Sequence, residues 1–121
     1  RVQAVIPMAS PTDLTRPYPD WADELFEGVF GNDQLAWASP VTHVHPDAPS
    51  FMIIHGDKDD VVYVDQAHAL HAALVRAGAE AELVIVQNAG HGFEPVGGLP
   101  SPSMGTVNVM IRDFLVRAGI R

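Results

Sequence analysis

Phe51-Met52-Ile53-Ile54-His55-Gly56-Asp57-Lys58-Asp59-Asp60-Val61-Val62 decides how the chain folds. Its first four residues are a continuous apolar run with no polar alternation, the pattern of a strand covered on both faces, and His55-Gly56 then break into an acidic turn. Leu83-Val84-Ile85-Val86 repeats the pattern and is followed by Gly90-His91-Gly92-Phe93, so that Asp59 and His91 lie 32 residues apart, each just past the end of a strand. Val2-Gln3-Ala4-Val5-Ile6 is a third run of this kind. Short runs buried on both faces predict a parallel sheet of about three strands.

The segment between the second and third runs predicts a helix. Ala67, Leu70, Leu74 and Ala77 fall at helical spacing, Asp65 lies in the first turn and Gly78 supplies the stop. The unit is therefore β-α-β. Its crossover places both strand ends, and with them Asp59 and His91, on one side of the sheet. A last helix carries the stripe Val107, Met110, Ile111, Phe114, Leu115 and Ala118, with Ser101 or Ser103 as its cap and Gly119 at its end; it is expected to pack on the sheet. Between Ala9 and Pro49, six prolines interrupt any long element. Two short helices are expected there. Asp20 to Phe30 has Trp21, Leu25, Phe26 and Val29 on roughly one side, and Asn32 is placed to cap a turn through Leu35, Ala36 and Trp37.

Composition excludes several classes of function. Seven Lys and Arg stand against 15 Asp and Glu, a net charge of −8 without any basic run, which disfavours a nucleic-acid backbone or an anionic membrane as partner. No apolar run approaches the roughly 20 residues of a membrane span. The absence of cysteine rules out disulfides and a cysteine nucleophile, and leaves the compartment open. The 121 residues suffice for a single domain, 1–121. The chain begins at Arg1 without an initiator Met and enters a strand almost at once, so it is expected to be a segment of a longer domain.

An Asp followed by a His, each leaving the carboxyl end of a strand, is the acid-then-base order of a serine hydrolase. In that chemistry His91 takes the proton of a Ser hydroxyl and later returns it to the leaving group; imidazole ordinarily changes charge near neutrality and suits both steps. The acid fixes the ring tautomer and stabilises the imidazolium. Ser10, Ser39, Ser50, Ser101 and Ser103 are the only serines, and none lies in a G-x-S-x-G turn.

Val5 to Leu14, Ala38-Ser39-Pro40-Val41, Pro49 to Val62 and Asn88-Ala89-Gly90-His91-Gly92-Phe93 together resemble the C-terminal half of an α/β hydrolase, in the branch shared by carboxylesterase- and lipase-like enzymes and prolyl oligopeptidase-type peptidases. The resemblance covers nearly the whole chain. It implies the three-layer α/β-hydrolase fold, with the three runs as the sixth, seventh and eighth strands and the last helix closing the domain. It places the catalytic acid at the third residue after His55-Gly56, which is Asp59, and the catalytic His at His91. Asp57 and Asp60 are then supporting residues. It further implies a small-molecule ester as substrate, no cofactor, and a nucleophile elbow and oxyanion-hole segment lying before Arg1. This chain would then supply the acid and the base and be inactive alone. Tyr63, where relatives often have Pro, alters only the start of a helix. A serine peptidase of the prolyl oligopeptidase type and a non-catalytic, hydrolase-like binding module are the alternative readings. Self-association, or pairing with the N-terminal half, is expected in either case.

The remaining candidates have plainer explanations. His43-x-His45 and the pair His68 and His71 lack Cys and a third ligand at metal spacing, so no metal site is expected. His55 reads as a packed, hydrogen-bonded residue. Trp21, Phe26, Phe30 and Trp37 could line an acyl or alcohol pocket, but at helical spacing they read as core.

Overall fold

The computed structural model describes residues 1–120. Three parallel strands, β1 (Ala4–Val5), β2 (Ser50–Gly56) and β3 (Ala81–Val86), form one sheet in the order β1-β2-β3. The helices are α1 (Asp20–Phe30), α2 (Leu35–Ala38), α3 (Asp65–Arg76) and α4 (Met104–Arg117). Three-residue and four-residue 3₁₀ turns at Asn32–Gln34 and Pro40–His43 flank α2.

Alternate residues of β2 enter different layers. Met52 and Ile54 join Val84 and Val86 beneath Val107 and Phe114 of α4, with Met104, Met110, Ile111 and Leu115 partly buried around them. Ile53 points the other way, into Ala67, Leu70 and Leu74 of α3. A pleat sends successive side chains to opposite faces, so a run that is apolar at every position is one with a helix on each side. This is the three-layer α/β arrangement, and the stripes read from the sequence for α3 and α4 are the faces that meet the sheet.

Ser103 is the cap of α4: its Oγ accepts the Thr106 N–H at 3.2 Å. Gly78, at φ +82°, ends α3 in the left-handed conformation that costs glycine little.

The structure differs from the sequence reading in three places. The first strand is shorter than Val2 to Ile6. Ala4 pairs with Ser50 and Val5 with Phe51; pairing then lapses over Ile6 and Pro7 and resumes between Met8 and Ile54 in the same register. Pro7 has no N–H to give β2, which accounts for the gap. Asn32 does not cap the turn it begins; the preceding Gly31, at φ +78°, makes the break instead. The apolar side of α1 also lies elsewhere. The helix rests on Ala22 and Phe26, four residues apart, against Leu14, Tyr18, Val62, Leu35 and Ala38, and the Phe26 ring meets the Tyr18 ring edge to face at 5.0 Å. Trp21, Leu25 and Val29 form the adjacent stripe and are 58, 53 and 64% exposed. Phe30 and Trp37 are exposed as well, Trp37 meeting the His43 ring edge to face at 4.7 Å, so of the four aromatics read as core Phe26 alone joins an apolar cluster.

The long segment before β2 is held by buried polar groups. The Gln66 side chain, on α3, accepts the Thr12 and Asp13 backbone N–H groups at 2.9 and 2.7 Å through Oε1, and donates from Nε2 to the Asp13 carbonyl at 3.0 Å. Ser39, fully buried, accepts the Leu14 N–H and donates to the Leu35 carbonyl, both at 2.7 Å. These bonds replace the ladder contacts that a loop cannot make.

Candidate active site

Two turns at the carboxyl ends of β2 and β3 build the site. They are laced by backbone: the Asp57 N–H donates to the Val86 carbonyl at 3.0 Å and the Lys58 N–H to the Ala89 carbonyl at 2.9 Å. Gly56 permits this approach, since a Cβ there would run into the Ala89 and Gly90 carbonyl oxygens. The His91 turn is equally tight. The Gly90 N–H donates to the Glu94 carbonyl, the Phe93 N–H to the Gly90 carbonyl, and the Gly92 N–H to the Glu94 carboxylate at 2.9 Å. Asn88 and Phe93, on either side, have φ of +59° and +61°, a left-handed conformation that non-glycine residues adopt at some cost and that tends to gather at functional sites.

Within this frame His91 Nδ1 donates to Asp59 Oδ2 at 2.9 Å. The Asp59 side chain is wholly buried while the His91 side chain is 43% exposed. Asp59 Oδ1 accepts the backbone N–H groups of Val61 and Val62, each at 2.9 Å. A buried carboxylate is tolerated when donors surround it, and these do. Asp57 and Asp60 are not brought to His91 by any hydrogen bond or ion pair among the described residues.

His55 is the residue at this site that the sequence reading undervalued. It is packed and hydrogen-bonded, with its Nε2 2.7 Å from the Val62 carbonyl, but the same nitrogen also lies 3.2 Å from Asp59 Oδ2. In the sequence only its position at the strand end, four residues before the acid, points toward the site, and that spacing does not fix the contact.

The other singled-out residues lie elsewhere. Ser39 is committed to Leu14 and Leu35, Ser50 bonds the Glu80 carboxylate at the amino end of β2, and Ser103 caps α4. Ser10 bonds the Met8 carbonyl. Among the described residues no serine hydroxyl hydrogen-bonds His91. His43 donates from Nε2 to the Trp37 carbonyl at 2.6 Å, and no cluster of three or more metal-ligating side chains occurs among the described residues. A recess of about 230 Å³ lined by Ser50, Glu80, Glu82 and Arg117 opens at the amino ends of β2 and β3, the far end of the sheet from His91. No described helix is long and apolar enough to cross a membrane.

Chemically, a buried carboxylate fixed on one ring nitrogen of a half-exposed imidazole leaves the other nitrogen free to exchange a proton with something in solvent. Such an arrangement can take up and return a proton, which is what general acid–base chemistry requires.

Comparison with known proteins places the chain. The sequence profile of the prolyl oligopeptidase family matches residues 2–98. Over 79 residues the chain is 43% identical to Esterase LipQ of Mycobacterium tuberculosis, a match covering 64% of this chain and 18% of that protein. Over 87 residues it is 30% identical to the uncharacterized peptidase YuxL of Bacillus subtilis, covering 71% of this chain and 13% of the other. Among solved structures, Thermogutta terrifontis esterase 2 phosphonylated by sarin superposes with a TM-score of 0.78 at 26% identity, over 97% of this chain and 44% of that one. The chain thus spans less than half the length of each of these proteins. On its sequence match, and with the sheet and helices it shares with the Thermogutta esterase, the chain belongs to the prolyl oligopeptidase family of α/β hydrolases.

Proposed function

We propose that Asp59 and His91 are the acid and the base of a carboxylic ester hydrolase whose nucleophilic Ser lies in a part of the parent polypeptide outside residues 1–121. The observation that carries this reading is the 2.9 Å bond between a fully buried Asp59 and the Nδ1 side of a half-exposed His91. In the proposed cycle His91 Nε2 accepts the proton of the Ser hydroxyl as its oxygen attacks the ester carbonyl. The proton then passes to the departing alkoxide as the acyl-enzyme forms. Water repeats the sequence: His91 takes its proton, the acyl group is released as acid, and the Ser regains its hydrogen. Asp59 stays ionised throughout and holds the ring.

An ester rather than a peptide is supported by the relatives, since LipQ and the Thermogutta protein carry esterase names. The peptidase reading has its own support in the family profile and in YuxL. The whole protein's substrate follows from pockets that residues outside this chain would complete. On this reading the chain is one segment of a single catalytic domain and packs against the segment that bears the nucleophile.

The test is to assay the chain alone and the polypeptide that also carries the elbow. The longer protein should hydrolyse p-nitrophenyl acetate and be labelled stoichiometrically by a fluorophosphonate on a Ser outside residues 1–121. The chain alone should do neither above the background of free imidazole. Labelling of any of its five serines would overturn the proposal, and faster turnover of a prolyl peptide than of the ester would favour the peptidase.

A further inference from the structure

We propose that His55 is a positioning residue: its Nε2–H clamps the turn that carries Asp59 and keeps Oδ2 aimed at His91. The inference rests on reading Asp59 and His91 as acid and base, and adds a third side chain that this reading does not require.

His55 is the penultimate residue of β2 and its side chain is 1% exposed. A buried imidazole must find partners within the protein. Nε2 has two polar neighbours, the Val62 carbonyl at 2.7 Å and Asp59 Oδ2 at 3.2 Å. A carbonyl only accepts, so Nε2 carries the proton and gives it to Val62, with the carboxylate oxygen close beside. Oδ2 is thus flanked by two imidazole nitrogens, His91 Nδ1 at 2.9 Å and His55 Nε2 at 3.2 Å.

Val62 closes the arrangement. Its N–H donates to Asp59 Oδ1 and its carbonyl accepts from His55, so the turn from Asp59 to Val62 is fastened both to its own acid and to the end of the strand. Rotating the carboxylate would disturb the Val61, Val62 and His91 bonds and the His55 contact together, with no water available to a fully buried group. His55 is itself buried behind Asp59, and so acts through the acid and touches no substrate. Small displacements matter here, because a misplacement of about 1 Å in a catalytic constellation can cost on the order of 10²-fold in rate.

Replacement by amides separates the N–H donor from mere bulk. Gln carries an amide N–H at about the reach of imidazole Nε2, Asn only at that of Nδ1, and Leu carries none. Imidazole ¹⁵N–¹H spectra of the full chain report which nitrogen of His91 holds its proton. The Nδ1–H resonance of His91 should persist in His55→Gln and be lost, with the ring passing to the Nε2–H tautomer, in His55→Asn and His55→Leu. Amide spectra of β2 and β3 check the fold in each; should His55→Leu fail to fold, the Gln and Asn pair decides. Persistence of the resonance in folded His55→Asn, or its loss in folded His55→Gln, would overturn the proposal. Asp59→Asn separates the two readings. An unchanged His91 resonance there would overturn both the acid–base pairing and the positioning role. A changed one, beside an unchanged resonance in His55→Asn, would overturn the positioning role alone.

Discussion

The two oxygens of Asp59 have different partners, and the difference gives its amide variant a definite expected behaviour. In Asp59→Asn the amide oxygen can keep the Val61 and Val62 N–H groups that Oδ1 accepts. The amide nitrogen then turns its own hydrogens toward His91 Nδ1, and the ring has to move its proton to Nε2, where it can no longer accept one from a Ser. In an active parent protein kcat should fall by about 10⁴-fold. Asp57→Asn and Asp60→Asn should be far milder, and a larger loss in Asp60→Asn than in Asp59→Asn, by steady-state kinetics, would contradict the assignment. Gly56→Ala tests the lacing of the two turns. The new methyl meets the backbone carbonyls of Ala89 and Gly90, which cannot swing aside like a flexible side chain. A destabilisation of about 1–3 kcal/mol, read from thermal or urea unfolding, is expected, together with loss of the His91 Nδ1–H resonance. Residue types and order were enough to single out Asp59 and His91 in the sequence. The contact of His55 with Asp59 was not legible, because four residues of irregular turn have no fixed geometry from which proximity could be inferred.

Among the elements, α3 does more than cross between strands. Its Gln66 takes the place of a strand partner for residues 12 and 13, so Gln66→Leu would leave the Thr12 and Asp13 N–H groups without acceptors in a buried setting. Each such group costs about 1–3 kcal/mol, and the urea midpoint should drop accordingly with little change in m. Asp13 adds a pH dependence to the same clasp. Burial raises its pKa, but hydrogen bonds from the Thr15 side chain and backbone and from Arg16, with the Arg16 charge, outweigh it and hold the carboxyl below the usual 3.8. A carboxylate with a lowered folded pKa adds stability above its unfolded value, and that stability is lost as pH falls through the folded value. Asp13→Asn should therefore lose more melting temperature at pH 6 than at strongly acid pH, where the two proteins converge. Periodicity disclosed α3 and α4 well, since each has one apolar stripe and one sheet to meet. It failed for α1, where Ala22 and Phe26 form one apolar stripe and Trp21, Leu25 and Val29 the next. Nothing in the spacing says which would face inward; small Ala22 admits close packing against Tyr18 and Val62, and the bulkier stripe is left outside.

For the molecule as a whole, the same stripe sets how the chain should behave in solution. Trp21, Leu25, Val29 and Trp37 are exposed, and β1 is an edge strand only two residues long, with Val2 uncovered before it. Edge strands and apolar surface both favour association. The net charge of −8 opposes it. Asp20, Asp23, Glu24 and Glu27 share α1 with the apolar stripe, so their charge repulsion acts within about a helix diameter of where contact would form. That repulsion extends about 10 Å at 0.1 M ionic strength and about 3 Å at 1 M, whereas apolar burial does not weaken with salt in this way. Salt should therefore shift the balance toward association. Light scattering on the purified chain should show a mass that rises with concentration and rises further when salt is increased from 0.1 to 1 M. Leu25→Glu combined with Val29→Lys should restore a monomer without shifting the melting transition by more than a few degrees, because both side chains already face solvent. A sharp monomer at high micromolar concentration in both salts would mean that the edge and the stripe are too small to hold two copies together. Association undiminished in the double variant would move the contact from α1 to the β1 edge.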